Sequence, residues 1–412
     1  MIYRVSLLRG RLLVFCAIVM SALVLRLAVT SFSPLASAIS EELGFTSTLV
    51  GVFGMMPTAM FALFGFATPF LARRWGLETT ALVAMLMAGV GMAARAFVSD
   101  TWVLLALSAL ALGGMGIGNV VIPPLVKRYF SDRLAVVSSL YIVGVQLGTI
   151  APAFVAVPLA DAYGWRVSIG VWAVLGFAAA LPWVVVLLRR RGAVPQNDRV
   201  ATAPQAHGQV WRSPVGWGMA GMFGMTSLVT YSMFTWIPDI LGDAGASPAF
   251  GGAMVGLFSL MGLVGAFGGP TLCARMNNPF PAVLACATCM LVGFAGLWLA
   301  PMSVPILWIV LLGLGPSTFP MALTLINLRT RTQAGSSALS GFTQGVGYAV
   351  ACLGPLLFGV LHDATTGWTA SFGLLVLAVA LLVAGGYHAC KPRALEDSWH
   401  RVDADEEDLP AR

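Results

Sequence analysis

Arg26 has the sharpest chemical implication of any residue in this 412-residue chain, because it stands in the middle of a long apolar stretch. Counted from the start of that stretch it lies about 14 residues, or roughly 21 Å, into a helix rising 1.5 Å per residue. A guanidinium at bilayer depth costs about 2.5–3.5 kcal/mol on insertion scales, so it must face a wet cavity or a partner. No carboxylate shares that depth. Glu41, Glu42, Asp100, Asp161, Asp239, Asp243 and Asp363 fall at or beyond one set of ends of the apolar runs, and Glu78, Asp132, Asp198 and the cluster from Glu396 to Asp408 at the other. One role left for Arg26 is structural, on helix-end carbonyls. The other is to meet an anion or an electron-rich planar group from outside, which can accept two parallel N–H bonds.

Arg26, Thr30 and Ser33 are spaced i, i+4 and i+7, which places them on one face of a continuous helix. Asn119, Gln146, Ser227, Tyr231, Gln344 and Tyr348 are further polar residues deep in apolar runs. Each suits either a contact with a ligand or a hydrogen bond between helices, the latter contributing about 0.6 kcal/mol in a membrane. Ser227 and Tyr231 are i and i+4 on one helix, and the tyrosine offers a flat ring with a polar tip. Arg95 stands a few residues from the end of its run, where a long side chain snorkels to the interface. The pairs Gly114/Gly118, Gly144/Gly148, Gly252/Gly256 and Gly341/Gly345 have the spacing of closely approaching helices. Pro57, Pro123, Pro124, Pro152, Pro320 and Pro355 predict interruptions.

Other chemistries lack their residues. Cys286 and Cys289 form C-x-x-C with no histidine, acid or second pair beside them, so they read as packing residues. The glycine-rich run from Gly113 to Asn119 lies inside an apolar span rather than between a strand and a helix. No phosphate-binding G-x-x-x-x-G-K-[ST] is present, and His207, His362, His388 and His400 have no nucleophile at matching positions. The sequence predicts no cofactor, no metal site and no enzyme active site.

The elements that position Arg26 follow from composition. Hydrophobic residues make up 58% of the chain and charged residues 10%, against about 25% charged in a soluble domain. This excludes a water-soluble fold. Apolar runs near 12–38, 46–72, 79–98, 102–126, 134–159, 167–188, 214–239, 249–273, 280–300, 305–328, 334–361 and 368–389 predict an all-α integral membrane protein of twelve helices. With the N-terminus inside, 20 of the 23 Lys and Arg residues fall on cytoplasmic segments, leaving Arg26, Arg95 and Arg166. Both termini are therefore placed in the cytoplasm. The net charge of +6 reports topology rather than nucleic-acid binding, since the basic residues form short clusters at helix ends without a stacking surface. Arg4, Arg9 and Arg11 before an apolar run imitate a signal peptide, but the run is too long and carries Arg26, so no cleavage is expected.

The polar segment 189–213 divides an N-terminal six-helix bundle, 1–188, from a C-terminal one, 214–390, with a charged cytoplasmic tail at 391–412. The halves look duplicated. Leu159 to Gly170 is similar to Leu361 to Gly373, and Phe70 to Trp75 to Leu272 to Asn277; Gln146 follows Ser139 by the same interval as Gln344 follows Ser337. Two such bundles suggest rocking about a midplane site.

The strings Leu25 to Leu35, Gly114 to Phe130, Thr226 to Leu241, Leu311 to Thr332 and Ala338 to Trp368 resemble the major facilitator superfamily, and within it the cyanate and 2-nitroimidazole transporters. The resemblance implies two pseudo-symmetric six-helix bundles, alternating access, and a small substrate of the cyanate or nitroimidazole class. It also places the first-span arginine, Arg26, in the central cavity. The chain departs from the pattern twice. Arg73 occupies the position of the superfamily's aspartate after the second span, so the associated gating ion pair is not implied, and Leu27 replaces the usual proline after the arginine, implying a weaker local break.

Together these readings predict a transporter in the bacterial inner membrane, acting as a monomer on a small anionic or planar polar solute. Arg26 would bind it, Thr30, Asn119, Ser227 and Tyr231 would shape the pocket, and Gln146 and Gln344 would be symmetry-related contacts. With no carboxylate or histidine at depth, facilitated diffusion or exchange is the expected mode. The alternative is an exporter of small organic compounds in which Arg26 is structural; a channel and an embedded enzyme are the remaining alternatives.

Overall fold

A computed structural model describes residues 2–190 and 210–398. The middle of the predicted linker, 191–209 with Arg191 and Arg199, and the tail from residue 399 with Arg401 and Arg412, lie outside the described residues. What is described is helical, with no strand. Eleven segments are long and apolar enough to cross a membrane. One further helix, Pro214–Asp243, is 30 residues long and is buried along most of its length, from Val215 to Leu241. It can carry glycine, threonine and tryptophan because it faces protein and cavity more than lipid.

In the first half the spans are Ile2–Val24 continuing through Leu27–Thr30 to Ala36–Leu43, then Ser47–Trp75, Leu77–Arg95, Thr101–Tyr129, Leu134–Tyr163, and Trp165–Gly170 with Ala173–Arg190. In the second half they are Pro214–Asp243, Pro248–Arg275, Phe280–Leu299, Pro305–Leu314 with Thr318–Leu328, Gln333–Ala351 with Leu353–Thr365, and Thr369–Cys390. They are numbered first to twelfth below. The third and fourth spans pack together, as do the seventh and twelfth, and the halves meet where the fifth span lies on the eighth and the second on the eleventh.

The duplication is visible in bonds. Ser168 Oγ donates to the Ala156 carbonyl at 2.7 Å, and Ser371 Oγ to that of Phe358, also at 2.7 Å. The indole N–H of Trp165 donates to Glu42, and that of Trp368 to Asp243.

The prolines mark breaks in the second half, where the tenth span is interrupted before Pro320 and the eleventh at Cys352 before Pro355, but not in the first. Pro57, Pro123, Pro124 and Pro152 lie inside continuous helices, where neighbouring helices and local adjustment accommodate the missing N–H. The first span instead breaks at Leu25 and Arg26, with no proline, Arg26 leaving the helical region at φ −131° and ψ −5°. The break the resemblance implied to be weaker is therefore present with Leu27. Beside it Gly148 of the fifth span packs so closely that a Cβ there would lie 1.9 Å from the Leu23 carbonyl oxygen. The tenth span breaks through a short 3-10 turn at Gly315–Ser317, around Pro316. Gly341 has no heavy atom within 4 Å of a would-be Cβ, so its pair with Gly345 makes no joint helix contact.

The spans alternate in direction, so the molecule has a terminal end, carrying Arg11, Tyr129 and Cys390, and a far end. Polar contacts between halves concentrate toward the far end. Ser33 Oγ donates to the Phe234 carbonyl, Ser37 Oγ to Asp239 at 2.7 Å, and the backbone N–H and hydroxyl of Thr48 to Asp363 at 3.0 and 2.6 Å. Among the described residues no ion pair joins the halves.

Candidate functional site

A cavity of about 900 Å³ lies between the halves. Its walls run from buried Ser227 and Tyr231 to Asn327, Leu328 and Gly341, which are exposed. It therefore opens toward the terminal end, while the seam of Ser33, Ser37 and Thr48 shuts the far end.

Arg26 reaches its wall because of the break. Once Leu25 leaves the helix its carbonyl needs a donor, and Arg26 Nη1 supplies one at 3.2 Å. The same nitrogen donates to Asn119 Oδ1 at 3.3 Å. The guanidinium carbon lies 4.8 Å from the centroid of the Phe61 ring, within range of a cation–π interaction. No other acceptor among the described residues takes the remaining guanidinium N–H groups, and no aspartate or glutamate lines the cavity. The second amide hydrogen-bonding group of Asn119, Nδ2, is also buried without a partner. The arginine is held in place on one edge and open on the other.

Tyr141, Tyr231 and Tyr348 complete the surroundings. Phe61 stands edge-on to both Tyr231 and Tyr348, with centroids 6.4 and 6.1 Å apart. The three phenol hydroxyls make no hydrogen bond to described protein groups. The cavity thus offers a fixed cation, neutral donors and acceptors, and flat apolar faces, a combination suited to a small planar anion or polar ring.

Six of the seven residues predicted from sequence converge here: Arg26, Asn119, Gln146, Ser227, Tyr231 and Gln344 all line the cavity. Thr30 does not. It is fully buried, its hydroxyl has no partner, and it lies beyond the break, so the stripe it was to share with Arg26 and Ser33 is not a helix face. The glutamines differ in use: Gln146 Nε2 bridges the halves to the Ser259 carbonyl at 3.2 Å, whereas Gln344 Nε2 turns to Ser340 on its own helix at 2.8 Å. Phe61 and Tyr141 were missed. Tyr141, Val145 and Thr149 form an i, i+4, i+8 stripe one step from Gln146, so extending that helix face would have found the tyrosine. Phe61 is one apolar residue among many, and nothing in the sequence separates it.

Arg95 corrects another expectation. It is 1% exposed and does not snorkel; its side chain turns inward, against the first, second and seventh spans.

Comparison with known proteins gives consistent matches. A sequence model described as Major Facilitator Superfamily matches residues 18–352. The uncharacterized transporter YycB of Bacillus subtilis (strain 168) is 32% identical over 386 residues, covering 92% of this chain and 94% of that protein. The 2-nitroimidazole transporter of Escherichia coli (strain K12) is 29% identical over 92% of this chain and 95% of its own length. The cyanate transport protein CynX of the same organism is 25% identical over 89% and 94% respectively. In fold, the crystal structure of a D-xylose-proton symporter superimposes with a TM-score of 0.68 at 13% identity, covering 90% of this chain and 97% of the other.

Proposed function

The chain belongs to the major facilitator superfamily and is a membrane transporter rather than an enzyme, and on that premise we propose that it moves a small anionic or planar polar solute by alternating access, with Arg26 as the central binding charge. One observation carries the reading: a guanidinium anchored on one edge faces a cavity whose lining holds no carboxylate. A solute that accepts two hydrogen bonds completes that charge. Asn119 orients the guanidinium, Phe61 backs it, and Ser227 and the tyrosine hydroxyls supply neutral contacts. Gln146 and Gln344 complete the walls. Two relatives are named for cyanate and 2-nitroimidazole, and both solutes are small and present an electron-rich group. A cavity of 900 Å³ with aromatic walls favours the ring-bearing member of that class over a three-atom anion.

This reading places both termini in the cytoplasm and the chain in the inner membrane, which would make a cavity open at the terminal end inward-facing. Among the described residues the cavity wall carries neither histidine nor carboxylate to hold a coupling proton, which supports facilitated diffusion or exchange by a monomer. The bond from Arg26 to the Leu25 carbonyl supports a second reading, an exporter of small organic compounds in which the arginine only closes the helix break.

Uptake of radiolabelled cyanate and 2-nitroimidazole into proteoliposomes separates the two. Arg26→Ala is expected to lower uptake by about 100-fold or more, since truncating one partner of a buried charged pair costs several kcal/mol. Arg26→Lys retains charge without the planar fork and falls between. Full-rate transport by both variants rules out the arginine-centred reading.

A further inference from the structure

We propose that Arg95 forms a second anion-binding site, at the far end of the same path, which fills when the seam between the halves parts. Arg95 ends the third span and is 1% exposed. Its Nε and Nη2 are enclosed without a hydrogen-bond partner. It lines a cavity of about 30 Å³ together with Ser33, Ser108, Tyr231, Phe234 and Thr235, and among the described residues no acidic one lines that cavity. The Ser108 hydroxyl is likewise enclosed and unpartnered. A buried guanidinium with neither counter-charge nor acceptor is an arrangement a fold keeps only where something else meets that charge.

The geometry indicates what meets it and when. Tyr231 and Phe234 line both this pocket and the large cavity, so a single layer of rings separates the surroundings of Arg95 from those of Arg26. Ser33, whose hydroxyl bonds across to the Phe234 carbonyl, lines the pocket too. The contact that shuts the far end thus also shuts the pocket. In this conformation it has room for about one or two waters and none for a solute. When the bonds of Ser33, Ser37 and Thr48 break, the separating halves uncover a fork of N–H donors with a serine beside it. The site then offers a small anion a charge-assisted, bidentate contact before Arg26 does. The proposal rests on the reading that an anion or electron-rich solute crosses this protein.

The test measures KM for radiolabelled cyanate and 2-nitroimidazole from each face of oriented proteoliposomes, with melting temperatures of the purified variants. Arg95→Gln is expected to raise KM from the far side by about tenfold or more while leaving the terminal-side value within about twofold. Arg95→Met, which removes an unpaired buried charge, is expected to melt higher than wild type; a structural arginine gives the opposite sign. Folded Arg95→Gln with unchanged KM from both faces overturns the proposal. So does a drop in melting temperature in both variants with no difference between faces. If Arg26→Ala transports normally while Arg95→Gln loses far-side affinity, the reading of Arg26 fails and the Arg95 site stands.

Discussion

The first and seventh spans occupy equivalent places in the two halves and solve the same problem in opposite ways. The dipeptide Ala72-Arg73 recurs as Ala274-Arg275, 202 residues later, and by that offset Arg26 corresponds to Leu228 and Leu27 to Val229. The first span breaks there and turns a charged side chain to the cavity. The seventh continues through the same level, and three of its threonine hydroxyls bond to its own carbonyls: Thr226 to Met222 at 2.7 Å, Thr230 to Thr226 at 2.8 Å, Thr235 to Tyr231 at 2.9 Å. One helix turns a charge to the cavity, and the other offers it only the neutral groups of Ser227, Thr230 and Tyr231. The halves share a frame, and on the proposed reading the binding charge sits in the half whose first helix is interrupted.

The strongest way to break this comparison is to interrupt the other helix. Val229→Pro removes a bond from a continuous helix and is expected to destabilise the protein by about 3 kcal/mol or more. Leu27→Pro falls at the first position of a short helix after an existing break, where the backbone tolerates proline, so its cost is that of the trimmed buried side chain, about 1–3 kcal/mol, and smaller than that of Val229→Pro. Equal losses of melting temperature would show that the two spans do not differ as described.

Transplanting the charge comes next. Arg26→Leu with Leu228→Arg keeps composition and depth but places the guanidinium where no carbonyl has been freed to anchor it. Transport of 2-nitroimidazole is expected to stay about 100-fold or more below wild type, as in the single variant. Recovery to within tenfold would show that the break is not what positions the charge.

A smaller effect concerns the loops that follow the fourth and tenth spans. In the first half, Arg11 donates to the Tyr129 carbonyl at 3.1 Å and pairs with exposed Asp132. In the second the tail returns a carboxylate: Glu396 Oε1 accepts from the backbone N–H groups of Arg331 and Thr332, each at 3.0 Å. Burial pushes the Glu396 carboxyl up, but these hydrogen bonds outweigh it and hold it below the ordinary 4.5. Its contribution is therefore full above pH 4.5 and fades as pH falls below that value. Glu396→Gln is expected to lower stability by about 1 kcal/mol or less at pH 7, with the gap from wild type closing in acid; a gap independent of pH would assign the effect to shape.

Much of this was legible in the sequence because the membrane makes charge expensive and its placement informative. Arg26 stood out since nothing at its depth could pair with it, and Gln146, Gln344, Ser227 and Tyr231 since they interrupt apolar runs. Thr30 and Arg95 were misplaced for one reason: helix spacing and distance from a span end say where a side chain points only if the helix is unbroken and its end faces lipid. The break at Leu25 has no proline to announce it, and the end of the third span turns out to face protein.

The seam at the far end has one further property. Ser33 and Thr235, like Ser37 and Asp239, are 202 residues apart, so each pair joins positions that the duplication makes equivalent. Residues that meet their own counterparts lie near the axis relating the halves. Their bonds run from neutral hydroxyls rather than between opposite charges, although Arg95 stands beside Ser33 and His362 beside Asp363. Dissolved salt screens attraction between opposite charges but has little hold on a hydroxyl bonded to a carbonyl or a carboxylate at this distance. The latch would keep nearly the same strength in dilute and concentrated media, so that on the proposed reading any salt dependence of transport arises at Arg26 rather than at the seam.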